Sequence, residues 1–401
     1  MIRALARPAS LVRSSPDFAR IAAVNFLFFM QFASGFIYPR WLLEQGLGER
    51  AIGVVMGSAG VATLVTTLVL AGVIDRMSRL RILRWGIVIL VLATLILRGA
   101  AGSMLLLCGA RALQGAAFAA AFMTAGSLAT EYAPGDRTTE ALGLFGVFTL
   151  LTHALAPLLA EQYVRWWNWD AMFVLSSVYS VVAWQLSWRL RDPDADRVGP
   201  DLRAVSGGWG RAEVSLLLLT SMVGIAFGTM VTYLPVWAAR LHGGSVGAFF
   251  ATYACTAIGV RILFGHLGDR LAKARLVAPA SLIVAVCSAL IGVAGGWAMS
   301  HGWSIPFLVV AGLLYGLGHG FFYPNANVQY LDIRPPQRQG EAMSHFMLAF
   351  NVGGVVAGML FGSVIELAGY SVTYAVCAAA VGVALVAYWQ VFNPAAASAG
   401  R

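Results

Sequence analysis

Long apolar stretches recur from one end of this sequence to the other. Each is near the length that crosses a bilayer, about 20 helical residues. They fall at 20–43, 52–75, 82–99, 103–132, 139–163, 169–190, 212–240, 245–268, 276–299, 304–331, 340–366 and 370–392. Of the residues, 59% are hydrophobic and 11% charged, against roughly a quarter charged in a soluble domain. The 44 glycines also suit membrane helices better than soluble ones. A soluble protein could not hide so much apolar surface around single cores, so the chain belongs in a bilayer.

The formal net charge of +9 raises the question of nucleic acid, but the placement of the charges argues for topology instead. With the N-terminus inside, 20 of the 27 Lys and Arg residues fall in cytoplasmic segments. The exceptions are Arg40, Arg50, Arg98, Arg165 and Arg240 on the far side, and Arg111 and Arg261 within spans. That bias is the positive-inside rule, and it predicts an even number of spans with both termini cytoplasmic. Nucleic-acid binding is not expected. Cys108, Cys255, Cys287 and Cys377 lie in apolar spans without pairing or metal-ligand spacing, so neither metal nor cofactor is expected. No short apolar core with a cleavage site precedes the first span, which reads as a retained helix.

The longest polar interruption, Arg189 to Arg211, holds Asp192, Asp194, Asp196, Pro200 and the glycines of 207–210. It divides the spans into two equal sets: an N-terminal half at 1–190, a cytoplasmic linker at 191–211 and a C-terminal half at 212–401. The halves repeat each other. One shift superposes Gly115 on Gly316, Glu131 on Asp332, Pro134 on Pro335, Arg137 on Arg338, Glu140 on Glu341 and Ala141 on Ala342. A slightly shorter shift superposes Asp75-Arg76 on Asp269-Arg270. The expected fold is an all-α membrane protein of twelve transmembrane helices in two pseudo-symmetric six-helix bundles. Repeated halves of this kind build transporters that alternate access to a central site.

The loops after the second and eighth spans carry the strongest local signal. They read Ala71-Gly-Val-Ile-Asp75-Arg76-Met-Ser-Arg79-Leu-Arg81 and Gly265-His-Leu-Gly-Asp269-Arg270-Leu-Ala-Lys273-Ala-Arg275. Both resemble the G-x-L-x-D-R-x-G-R/K signature of the major facilitator superfamily, with Ala71, Ser78 and Ala272 where glycines are usual. That resemblance implies that Asp75 faces the start of the eleventh span and Asp269 the start of the fifth, each carboxylate meeting the positive end of a helix. Arg76 would pair with Glu131, and Arg270 with Asp332. With Arg79, Arg137, Lys273 and Arg338 these form a conformational latch that breaks when the cytoplasmic side opens. The alternative is that they are turn and anchor residues obeying the positive-inside rule.

The fourth span contains Arg111-Ala-Leu-Gln114-Gly115, similar to the superfamily's R-x-x-Q-G motif. A charge there is expensive in hydrocarbon and should face the bundle interior. In relatives this arginine is associated with proton coupling; hydrogen bonding to neighbouring helices is the structural alternative. The fifth span offers Gly143, Gly146, His153 and Ala156-Pro157, where proton-exchanging drug exporters end a glycine-rich stretch in Gly-Pro. The eleventh has Gly353, Gly354, Gly358 and Gly362, suited to close helix packing. The tenth reads Gly316-Leu-Gly-His319-Gly-Phe-Phe322-Tyr323-Pro324-Asn-Ala-Asn327 and again resembles small-molecule efflux members. His319 either titrates near neutral pH, binds substrate, or packs as a hydrogen-bond donor. His153, Arg261 and His345 are further coupling candidates.

By these boundaries no Asp or Glu lies in the middle of a span, which disfavours a strongly cationic substrate. Coupling would then rest on His153, His319 or Arg111, or on Glu131 and Asp332 near the cytoplasmic side. An aromatic cavity wall would suit a planar, amphipathic molecule, neutral or anionic. Its candidates are Asn25, Phe28, Phe29, Phe32, Phe118, Phe122, Tyr233, Trp237, Phe322, Tyr323 and Asn327. No H-E-x-x-H, G-x-S-x-G, paired carboxylates or phosphate-binding Gly-Lys-Ser/Thr run is present, so neither an enzyme nor an ATP-driven pump is expected. The expectation is a secondary transporter, most simply a proton-coupled exporter acting as a monomer. Its partners would be a small-molecule substrate, protons and the lipid bilayer of a bacterial inner membrane. An uptake symporter for an organic acid, sugar or metal chelate is the alternative.

Overall fold

The computed structural model describes residues 15–71, 77–135, 137–191, 209–241, 245–265, 271–335 and 339–392, and among them the regular structure is entirely helical. The chain starts with α1 (Pro16–Ser34), where the Ser15 hydroxyl accepts the Phe18 N–H at 3.3 Å. Pro16 and Asp17 fill the first turn, a favourable start because proline lacks the donor a helix end leaves unused and an acid complements the dipole. A 3-10 turn at Gly35–Ile37 leads into α2 (Tyr38–Glu44), and then α3 (Glu49–Ala71) follows.

The next four helices are α4 (Arg79–Arg98), α5 (Met104–Tyr132), α6 (Thr138–Trp166) and α7 (Trp169–Ser187). Ser78, Ser103 and Asn168 cap α4, α5 and α7 through their side-chain oxygens. The second half of the chain forms α8 (Arg211–Arg240), α9 (Gly247–Phe264), α10 (Ala274–Ser300), α11 (Ser304–Ile333) and α12 (Gln339–Phe392). Ten helices among the described residues are long and apolar enough to cross a membrane. α7 falls outside that set, its apolar run carrying Asp170 and Gln185 as well as serines; Ser176, Ser177 and Ser180 are all buried. The 54 residues of α12 would span about 81 Å if straight, far beyond a hydrocarbon core of about 30 Å. The helix breaks at Gly369, whose φ of 83° lies in the left-handed region that glycine tolerates best. That break falls within the join expected at 366–370.

Packing gathers the chain into two compact units, Met1–Gly35 with Val61–Asp201, and Phe36–Gly60 with Leu202–Arg401. The division runs through α3, whose first half packs with the C-terminal helices. In the first unit α1 lies against α5, α6 and α7, and α4 pairs with α5 and α7. In the second, α8 packs along α12, and α11 lies against α9 and α10.

Glycines set the closest approaches in the second unit. A Cβ on Gly224 would strike the Phe350 carbonyl, and one on Gly353 the Ser221 carbonyl. The start of α3 joins the same seam: Gly53 lies against Tyr233 and the Gly358 carbonyl, Gly57 against Met359, and Gly362 against the Glu49 backbone. The Tyr233 hydroxyl donates to the Gly358 carbonyl at 2.8 Å. A polar clasp closes the end of this seam. Glu49 accepts from Arg240 Nε at 2.5 Å and from the Tyr370 hydroxyl at 2.8 Å, while Glu366 accepts the Arg50 N–H at 3.0 Å.

Candidate functional site

Each unit holds its own interior cluster. In the first, a buried hydrogen-bond chain links four helices. Arg111 on α5 donates through Nη1 to Gln114 Oε1 at 2.6 Å, and Gln114 Nε2 donates to Thr94 Oγ1 on α4 at 2.7 Å. Gln31 of α1 donates to the same hydroxyl at 2.8 Å and to Ser177 Oγ of α7 at 3.4 Å. The Thr94 hydroxyl in turn donates to the Leu90 carbonyl at 2.9 Å. One threonine oxygen therefore ties α1, α4 and α5 together. A chain of this kind is worth holding in a bilayer because each member would otherwise be an unsatisfied polar group.

Beside it stands an aromatic cluster. Phe32 stacks on Phe118 with centroids 3.8 Å apart, and Phe118 stacks on Phe122 at 5.5 Å. Phe28 meets Phe118 edge-on at 6.2 Å, and Phe29 packs against Phe118, Phe122 and the His153 ring. His153 Nδ1 lies 3.0 Å from the Thr149 carbonyl, and the same threonine's hydroxyl accepts from Asn25 Nδ2 at 3.1 Å. The expected residues Asn25, Phe28, Phe32, Phe118, Phe122 and His153 thus come together on α1, α5 and α6.

In the second unit His319 of α11 is the centre. It is 6% exposed, and its Nδ1 lies 3.2 Å from the Tyr253 hydroxyl of α9. Phe227, Tyr315, Tyr323 and Phe350 surround the imidazole at 5.6 to 5.9 Å between centroids. Arg261 stands two turns further along α9, after the Ala257–Val260 stretch against which Gly320 of α11 packs, and its Nε is buried without a hydrogen-bond partner. Phe322 is fully buried, and Asn327 contacts Met343 Sδ at 3.8 Å. Tyr233 and Trp237 belong to the packing seam instead. Trp237 stacks on Tyr370 at 5.1 Å and on Tyr374 at 5.6 Å, so its ring faces are already used.

At the helix ends, Glu131 forms an ion pair with Arg79, joining α5 to α4 inside the first unit. Arg137 pairs with Glu140 at 2.9 Å. Asp75, Arg76, Asp269, Arg270 and Arg338 lie outside the described residues. Lys273 precedes α10, and Asp332 is exposed near the end of α11. The buried pair at that end is Arg334 with Glu213, at 2.6 Å. A separate cavity of about 650 Å³ between α3, α4 and α5, lined by Leu70, Arg81, Trp85, Leu113 and Ala117 among others, touches none of the expected site residues.

A profile of the Major Facilitator Superfamily matches residues 21–300 and 282–400. The chain belongs to the major facilitator superfamily. Superfamily structures share its fold over nearly the whole length. The crystal structure of the nucleoside transporter NupG aligns with a TM-score of 0.72 at 12% identity, covering 94% of this chain and 99% of that one. A POT family transporter in complex with 5-aminolevulinic acid aligns at 0.79 and 11% identity, covering 95% and 97%. At such identities the likeness is one of fold. In sequence, UNC93-like protein 1 of Arabidopsis thaliana is 31% identical over 120 residues, 29% of this chain and 26% of that protein. The matched stretch is thus about a quarter of that relative's length. Family and fold are those of multi-pass membrane transporters.

Within this superfamily member, sequence reasoning missed Gln31, Thr94, Tyr253, Tyr315 and Phe350. Gln31 had a signal, a lone amide in an apolar first span. The tyrosines had none, since a tyrosine in a span reads equally as packing.

Proposed function

We propose that this superfamily transporter is a proton-coupled exporter of planar, amphipathic organic molecules, working by alternating access in a bacterial inner membrane with twelve spans and both termini cytoplasmic. The observation that carries the reading is His319, a titratable side chain hydrogen-bonded to Tyr253 and enclosed by aromatic rings. Such a group can exchange a proton where a flat molecule would stack.

The aromatic cluster around Phe118 supports recognition in the first half, and the Arg111–Gln114 chain supports a rigid frame beneath it. Export rather than uptake rests on the motif resemblance of the tenth span to small-molecule exporters. Alternating access requires the first half of α3 to part from the Gly358–Gly362 stretch of α12. The Glu49–Arg240–Tyr370 clasp would then be a bond broken in each cycle, and Arg79–Glu131 is a candidate latch within the first unit.

Cells lacking the gene test the direction of transport. Increased sensitivity to lipophilic planar compounds, reversed by the wild-type gene and not by His319→Ala, is expected. Protection from such compounds, or starvation for a metabolite, would contradict export and favour uptake.

A further inference from the structure

Arg261 is a cation within an apolar helix, and the described structure gives it no counter-charge. Its Nε is buried and makes no hydrogen bond. The titratable groups nearest it in effect are two phenols, Tyr253 and Tyr323, which are neutral near pH 7 and so supply no counter-charge. Arg334 meets Glu213 and Arg79 meets Glu131, and Arg111 donates to the neutral Gln114; for Arg261 the described residues supply neither an acid nor a side-chain acceptor. An uncompensated guanidinium in low dielectric costs several kcal/mol. Such a residue is retained where something else completes it.

The surroundings indicate what that is. A guanidinium presents a planar fork of donors matched to carboxylate or phosphate oxygens, and its preference for two parallel hydrogen bonds makes it selective for them. Arg261 follows the stretch of α9 that packs closely on α11, where a Cβ on Gly320 would meet Ala257 and Val260, and Tyr323, one turn on from Gly320, has its ring 5.6 Å from the imidazole and 5.3 Å from Phe350. Tyr253, two turns before Arg261 on α9, hydrogen-bonds His319 at 3.2 Å. A cation with unused donors therefore borders an aromatic box, within one helix unit.

We propose that Arg261 receives the anionic group of the transported molecule, whose aromatic ring packs against Tyr323 and Phe350, so that the substrates are aryl carboxylates or similar small aromatic anions. This rests on the transport reading above and sharpens it by fixing the charge of the substrate.

The probes are 2-naphthoate and its neutral counterpart 2-naphthamide, added to the purified full chain in detergent while its thermal unfolding is followed. Saturable stabilisation by the acid, at least tenfold weaker apparent affinity for the amide, and loss of the acid's effect in Arg261→Gln are expected. Arg261→Lys should keep the preference for acid over amide with weaker binding, since it retains the charge and loses the fork. Tyr323→Phe, a second variant that leaves the cation untouched, should weaken naphthoate several-fold. Equal stabilisation by acid and amide, an acid effect that survives in Arg261→Gln, or no response to naphthoate in the wild type would each overturn the proposal. Proton-coupled movement of neutral compounds that is indifferent to Arg261→Gln would also overturn it, while leaving the transport reading intact.

Discussion

At the scale of single residues, the sharpest contrasts lie between glycines that look alike in sequence. Gly353 abuts the Ser221 carbonyl, whereas Gly382, beyond the break at Gly369, has open space where a Cβ would go. Overpacking costs about 1–3 kcal/mol, while alanine in a helix interior gains about 0.5–1 kcal/mol over glycine where it fits. Gly353→Ala should therefore lower the thermal midpoint in detergent, and Gly382→Ala should hold or raise it; equal effects would mean that the seam between α8 and α12 is not tightly packed. Some of the interior was readable in advance at this scale. Arg111 and Gln114 announced themselves as polar residues one turn apart in an apolar span. Their partner Thr94 and its second donor Gln31 come from other helices, and no local spacing reports which helices will meet.

At the scale of helices, length and hydropathy located most elements, and Gly369 ends one helix and begins the next where two spans were expected to join. What the repeat did not reveal is how each half closes its helix ends. Shifted onto the first half, Lys273 and Asp332 take the places of Arg79 and Glu131, the pair that joins α4 to α5. In the second half Asp332 is exposed, and Arg334 instead meets Glu213 at the start of α8. The equivalent of Arg334 is Ala133, so the first half has no side chain to make that bond. Breaking a buried pair leaves a charge uncompensated, at about 3–5 kcal/mol. Glu213→Gln keeps the side-chain cap on the Gly210 N–H and should still depress the unfolding midpoint by several degrees. Asp170→Asn removes an exposed pair with Arg98, and solvent-screened pairs contribute little; its midpoint should stay near the wild type. Equal losses in both would show that Glu213 and Arg334 are solvated in the membrane-bound protein.

At the scale of the whole molecule, two repeated halves, a buried histidine and an arginine with no counter-charge among the described residues combine in a member of a transporter superfamily. Membership was legible in the Asp-Arg loops even though those loops lie partly outside the described residues. The substrate was not, because recognition depends on which of many aromatic side chains converge. The most direct measurement of the central reading uses inside-out membrane vesicles with an acid interior, an internal pH dye and a panel of planar compounds that includes aryl carboxylates. Compound-triggered alkalinisation of the interior that is present with the wild type and absent with His319→Ala is the predicted result. A dye signal that no compound moves, or one that His319→Ala leaves unchanged, would contradict proton-coupled export through this histidine.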